Sequence, residues 1–155
     1  TVHPYLGREA IQPFLDRKDK GIIVLVRTSN PGAGEFQDIT NKRGEPLYLT
    51  VAKKVAGEWN ANGNIAMVVG ATYPNELKLV RKAVGDIPFL IPGLGKQGGD
   101  VRSTVKSGMD SRGWGMIINS SRDIIFASSG ADYAAAARKK AKELSDQINK
   151  ARKSG

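Results

Sequence analysis

The sequence predicts a parallel α/β fold, and within that class part of a (β/α)8 TIM barrel, on three observations: short β-branched apolar runs, amphipathic helical patterns spaced evenly between them, and segments rich in Gly, Ser, Thr, Asn and Pro directly after each run. Parallel strands covered on both faces by crossover helices read as continuous apolar runs, as these do. At 155 residues, with 40% apolar and 25% charged, the chain can bury one core. Residues 1–155 therefore read as part of a single barrel domain with no second domain.

The elements follow in order. TVHPYLG, residues 1–7, has the look of a strand end running into its loop, and the helix after it carries Ala10, Ile11, Phe14 and Leu15. Gly21 to Arg27 (GIIVLVR) is the clearest strand. Pro46 opens a helix with Leu47, Val51 and Val55 on one face, and Pro74 opens another with Leu77, Val80 and Val84. Ile65 to Val69, Ile87 to Ile91 and Met116 to Asn119 are the remaining strands. Asp100 is a good N-cap for a short helix holding Val101 and Val105, stopped near Gly108. The last helix, roughly Asp132 to Arg152, shows a stripe of Tyr133, Ala137, Ala141, Leu144, Ile148 and Ala151 and is expected to pack on something large. That makes about five strand ends, whereas an eight-stranded barrel takes roughly 200 or more residues. The chain is expected to begin in mid-barrel and to supply roughly strands 4 to 8.

Composition excludes several chemistries. Cysteine is absent and His3 is the one histidine, so thiolate and histidine-cluster metal sites are excluded, and no carboxylates fall at ligand spacing. No metal and no cofactor are expected. No apolar run approaches the ~20 residues that cross a bilayer, and the first residues lack a basic start and an apolar core, so neither a membrane nor a secretory route is indicated and a cytoplasmic chain is expected. The net charge of +9 is concentrated in the last helix, where Arg138, Lys139, Lys140 and Lys142 mix with Glu143 and Asp146. Without interleaved aromatics this reads as a solvated helix face rather than a nucleic-acid footprint. A positive field would still gather a small anionic substrate.

In a parallel barrel the useful end is the carboxyl end of the strands. The segments there are TSNPGA (28–33), GATYP (70–74), PGLGKQGGD (92–100) and NSSRD (119–123). Gly93, Gly95 and Gly98 match the G-x-G-x-x-G spacing of a dinucleotide site, with Gly99 adjacent. That motif should follow the first strand of its unit and have an acid roughly 20 residues on, at the end of the next strand. Here it follows a late strand, and the nearest acids, Asp110 and Asp123, lie outside the next one. A phosphate reading fits better: glycines free backbone N–H groups to face an anion, Gln97 adds a side-chain donor, and the next loop offers Arg122, whose guanidinium can fork two hydrogen bonds to phosphate. The plainer reading has Gly98 and Gly99 turning the chain and Arg122 pairing with a surface carboxylate. Adjacency of the two loops favours phosphate.

Together HPYLG, TSNPGA, GATYP, FLIPGLGKQGGD and IINSSRDIIFAS, in this order across essentially the whole chain, resemble the longer-chain branch of the orotidine 5'-phosphate decarboxylases. The resemblance implies a dimeric (β/α)8 barrel that converts orotidine monophosphate to uridine monophosphate, in pyrimidine biosynthesis, without metal or organic cofactor. It implies that Gln97 and Arg122 grip the 5'-phosphate with the N–H groups of Ser121 and Arg122, that Ser29 hydrogen-bonds the pyrimidine edge, that Pro92 lies against the nucleotide, and that residues 93–99 close over the phosphate. On local sequence alone Ser29 reads as a turn residue before Asn30-Pro31-Gly32. The family's catalytic signature, D-x-K-x-x-D, should lie before HPYLG and is not in the chain. Asp16-Arg17-Lys18, its nearest match, has Gly21 where the second aspartate belongs and reads as a solvated turn.

The chain is thus expected to carry the binding part of the site and to be inactive without the N-terminal half of the barrel. A half-barrel module that binds phosphorylated ligands without catalysis, and a barrel enzyme acting on a sugar phosphate, are the alternatives; a nucleic-acid binder ranks last.

Overall fold

The four β-branched runs form four strands, β1 (Ile22–Arg27), β2 (Ile65–Val69), β3 (Phe89–Pro92) and β4 (Met116–Asn119). The structure is a computed structural model that describes residues 1–94 and 100–154. All strand pairs are parallel, and the order in the sheet, β1-β2-β3-β4, is the order in the chain. A doubly wound sheet would reverse direction at a switch point, whereas unbroken sequential order is the wall of a barrel. Beside β1, Val2 forms a lone parallel bridge to Val24, its N–H donating to Ile23 O at 2.8 Å and its carbonyl accepting from Leu25 N–H at 2.8 Å. Residues 1–7 are therefore a strand end, as their sequence predicts.

The helices are α1 (Arg8–Leu15), α2 (Gly34–Gln37), α3 (Leu47–Lys54), α4 (Pro74–Val84), α5 (Val101–Gly108), α6 (Arg122–Ile125) and α7 (Tyr133–Lys153). A 3-10 turn at Pro31–Ala33 leads into α2, and a π turn at Val55–Trp59 prolongs α3. The TSNPGA and NSSRD segments, read from sequence as loops, thus each contain a short helical turn.

Register sorts the strand side chains into two faces. Val24, Met67, Phe89 and Met116 share one row, whose first three members are fully buried beneath the helices. Leu25, Val68, Leu90 and Ile117 form the neighbouring row on the opposite face, which in a closed barrel points to the axis.

Three local expectations are corrected. The α3 stripe is Tyr48, Ala52, Val55 and Trp59, not Leu47, Val51 and Val55, and Leu47 is 40% exposed. A 4-3-4 spacing tracks the 3.6-residue turn better than two steps of four, and Tyr48 and Trp59 fill the wide spaces below. β3 begins at Phe89 rather than Ile87. Pro88 lacks an N–H and contributes only its carbonyl, to Met67 N–H at 2.9 Å. On α7 the predicted stripe is largely uncovered: Ala151 is buried, but Ala141 is exposed and Tyr133 is 64% exposed. Among the described residues α7 packs most closely on α5 and α6, which leaves much of the stripe uncovered.

Candidate functional site

The carboxyl ends of the strands are sewn together by backbone hydrogen bonds. Gly70 N–H donates to Arg27 O and Ala71 N–H to Pro92 O, each at 2.8 Å, so the loops after β1, β2 and β3 start from one rigid line. Ser29 lies in the middle of it. A Cβ placed on Gly70 would stand 2.8 Å from Ser29 Cβ and 2.9 Å from its Cα and N, and one placed on Gly93 would stand 2.9 Å from Ser29 Cβ and 3.0 Å from its Oγ. Glycine is required at both positions for this approach, and Gly93 also takes φ +93°, a left-handed conformation. Thr72 Oγ1 donates to Ser29 O at 3.2 Å, fixing its backbone from the β2 side. The hydroxyl of Ser29 is left half-buried beside Gly93.

Pro92 ends β3 opposite Asn119 of β4, so the segment Ser120–Arg122 leaves the sheet beside the start of the glycine loop. Asn119 Nδ2 donates to Ser121 Oγ at 3.4 Å. Ser121 and Arg122 are exposed, and no hydrogen bond among the described residues uses the backbone N–H of either. Among the described residues Arg122 makes no ion pair, so the plainer reading of it as the partner of a surface carboxylate is not what the structure shows. Gly95, Gln97, Gly98 and Gly99 lie outside the described residues. Beyond them Asp100 caps α5, its Oδ2 accepting from Ser103 N–H at 2.7 Å, and those hydrogen bonds from Ser103 hold its carboxyl below the usual range.

The structure brings Ser29 against Gly93, with Pro92 the preceding residue at the end of β3, and places Ser121 and Arg122 on the adjoining loop. A cleft of about 350 Å³ runs between Leu94, Val101 and Ile124 on one side and Lys140, Glu143 and Leu144 of α7 on the other. Asp100 and Ser120 also line it, so it borders the loops after β3 and β4 beneath α7, although Ser29, Pro92, Ser121 and Arg122 are not among its lining residues. Asp16-Arg17-Lys18 is an exposed turn after α1, with Arg17 paired to Asp19.

Sequence reasoning missed Arg27 and Gln37, and it placed Gly70 and Thr72 in a strand-end segment without seeing what they touch. Gly70 stood inside a segment read as a site, yet the need for glycine there arises from Ser29, 41 positions earlier. Arg27, read only as the end of a strand, is buried against Tyr48 and Tyr73. Burial pushes the Tyr48 hydroxyl up, and Glu76 and Asp38 add to this while Arg27 opposes it. Among the described residues no cluster of acids and histidine could hold a metal ion, and no helix is long and apolar enough to cross a membrane.

Comparison with known proteins gives one family. Residues 1–139 match the orotidine 5'-phosphate decarboxylase / HUMPS family. The orotidine 5'-phosphate decarboxylase of Bordetella petrii is 53% identical over 150 residues, which are 96% of this chain and 55% of that protein. That of Bordetella avium is 54% identical over 153 residues, 98% of this chain and 56% of that protein. The chain therefore spans about 55% of the length of the curated relatives it matches. Among solved structures, UMP synthase of Leishmania donovani superposes with a TM-score of 0.81 at 38% identity, covering 94% of this chain and 32% of that one. The OMP decarboxylase of the same organism superposes with a TM-score of 0.79 at 35% identity, covering 95% and 56%. With the sequential parallel sheet, the sewn strand ends and a family match over residues 1–139, the chain is part of a (β/α)8 barrel and belongs to the orotidine 5'-phosphate decarboxylase family.

Proposed function

We propose that this chain supplies the phosphate- and pyrimidine-binding part of an orotidine 5'-phosphate decarboxylase, and that residues 1–155 are part of a single barrel domain completed by an N-terminal half. The observation that carries the reading is Ser29, held between Gly70 and Gly93 at the strand ends with its hydroxyl toward the loop that follows β3. A small polar group fixed by backbone on three strands can address the edge of a planar base. Ser121 and Arg122, with N–H groups unused among the described residues, would hold the 5'-phosphate together with Gln97. Pro92 would lie against the nucleotide.

The chemistry requires groups that the chain does not contain. The lysine and aspartates of D-x-K-x-x-D would come from the N-terminal half, and binding energy gathered at phosphate and base here would be expressed at the reacting carbon there. No cofactor is needed in this reading. The whole protein would act in the cytoplasm as a homodimer, a role to which the exposed Tyr5, Leu6 and Phe36 would lend apolar surface.

The test compares uridine monophosphate with uridine in the full-length polypeptide that contains this segment. Arg122→Ala is expected to weaken the nucleotide by about ten- to a hundredfold, the worth of a charge-assisted hydrogen bond, and to leave uridine unchanged. Equal losses for both ligands would reject the phosphate role, and decarboxylation by the isolated 155-residue chain would reject the division of the site.

A further inference from the structure

Arg27, the last residue of β1, is 2% exposed. A buried guanidinium is costly unless it is paired, and its surroundings show how this one is held. It lies 4.5 Å from the Tyr73 ring centroid and 5.8 Å from that of Tyr48. One terminal nitrogen donates to Thr28 O at 3.3 Å and Gln37 Oε1 at 3.2 Å, and the other to Asp38 Oδ2 at 3.1 Å. Its Nε–H has no hydrogen-bond partner among the described residues. An apolar side chain would fill the same space without that unpaired donor, so stability alone does not account for an arginine.

Strand pairing shows how Arg27 reaches this position. Ile22 and Val24 pair with Ile65 and Met67, Leu25 pairs with Val68, and Arg27 pairs with Val69. Two steps on β1 against one on β2 make Val26 the extra residue of a bulge. Simple alternation would put Arg27 on the face of Ile23 and Leu25. The bulge turns it instead to the helix-covered face, beneath Tyr48 of α3.

From there the network reaches the loop that carries Ser29. Gln37 Oε1 accepts Thr28 N–H at 2.9 Å, Gln37 Nε2 donates to Thr28 Oγ1 at 2.9 Å, and Thr28 Oγ1 donates to Asn30 Oδ1 at 2.7 Å. The residues on both sides of Ser29 are thereby tied to Gln37, and Gln37 is tied to Arg27. We propose that Arg27 and Gln37, seated by the Val26 bulge, are positioning residues that fix the Ser29 hydroxyl for the base of a bound pyrimidine nucleotide. The proposal deepens the functional reading above and rests on it.

The test uses the full-length polypeptide, with uridine monophosphate and ribose 5-phosphate as probes. Gln37→Leu removes the accepting oxygen, while Gln37→Glu keeps the oxygen that accepts from Thr28 N–H and Arg27 and loses only the Nε2–H donated to Thr28 Oγ1. Gln37→Leu is expected to lower affinity for uridine monophosphate by about tenfold and to change ribose 5-phosphate by less than about twofold, with Gln37→Glu restoring most of the loss. A merely structural role would lower both ligands together, and that result overturns the proposal. Should wild type fail to prefer the nucleotide, the functional reading falls, and hydrogen exchange of the Thr28 amide decides the clamp by itself. Exchange is expected to speed up in Gln37→Leu and not in Gln37→Glu, and unchanged exchange in Gln37→Leu overturns the clamp. If Gln37→Leu does not fold, Thr28→Val, which removes the hydroxyl and keeps the N–H bond to Gln37, is read by the same ligand comparison, with loss of both ligands together again overturning the proposal.

Discussion

β3 and β4 are neighbours of the same length and similar composition, and they end in different environments. Ile91 of β3 is fully buried, whereas its register partner Ile118 of β4 is only half-buried, and on the opposite face Ile117 of β4 is 55% exposed. Along the inward row the cover thins from Val68, which is buried, through Leu90, which is half-buried, to Ile117. Beneath α7 a second cleft of about 310 Å³ opens between Met116, Ile118 and Leu144. The side toward β1 already has its helices and neighbours. The β4 side has an apolar face built for neighbours that the described residues do not supply.

Truncations on the two strands give the largest contrast. In urea unfolding of this chain, Ile91→Ala is expected to cost about 2–5 kcal/mol, as for a fully packed site, and Ile117→Ala less than about 0.5 kcal/mol. In the full-length protein Ile117→Ala should move toward the cost of Ile91→Ala. A large cost for Ile117→Ala in the isolated chain would break the comparison.

Glycine substitutions come next and sharpen it on the covered side. Gly70→Ala drives a methyl into the backbone of Ser29 and is expected to cost about 1–3 kcal/mol, an overpacking penalty. Gly63→Ala is the control, since its φ of +66° strains an alanine but the space around it is open, and about 1 kcal/mol is expected there. Equal costs would mean that the Ser29 contact is not tight.

Acid titration should show the smallest effect, confined to the turn that leads into β4. Burial pushes the Asp110 carboxyl up, but hydrogen bonds from Trp114 N–H and from the Arg112 side chain and N–H outweigh it and hold the group below its ordinary value. Asp86 is held low by the Ser111 N–H and hydroxyl. Groups depressed by folding contribute stability that is present above their unfolded values, near pH 3.9, and lost as pH falls through the lower folded values. The two tryptophans report the two regions: Trp59 is buried under the covered sheet and Trp114 sits in this turn, with Arg152 stacked on it. Below about pH 4 the Trp114 signal is expected to change before that of Trp59, and Asp110→Asn should remove the difference. Simultaneous changes would show that the turn and the core melt as one.

Much of the fold was legible because it is written locally. Ile65–Val69 and Met116–Asn119 are strands at the predicted bounds, Asp100 caps α5, and Leu77 and Val80 face the core as their spacing predicts. The errors arise where a distant partner decides. The Val26 bulge exists only against β2, and the choice between two α3 stripes depends on the space that Tyr48 and Trp59 fill. At the candidate site Ser29 and Gly93 approach closely, whereas what Gly70 and Gln37 touch is decided by residues far along the chain. The segment that raised the phosphate reading, from Gly95 to Gly99, lies outside the described residues, so its part rests on the family likeness.

The strand order also sets the size of any partner. A barrel of eight strands needs three more beyond β1 to β4 and the Val2 strand end, all running in the same direction. A second copy of this arc would bring too many, and a wall of about ten strands has a wider bore. Leu25, Val68, Leu90 and Ile117 could not then meet side chains across the axis, and the middle would fill with water. Closure is thus a matter of circumference: self-pairing leaves a hollow ring, and only a narrower complement makes a solid one.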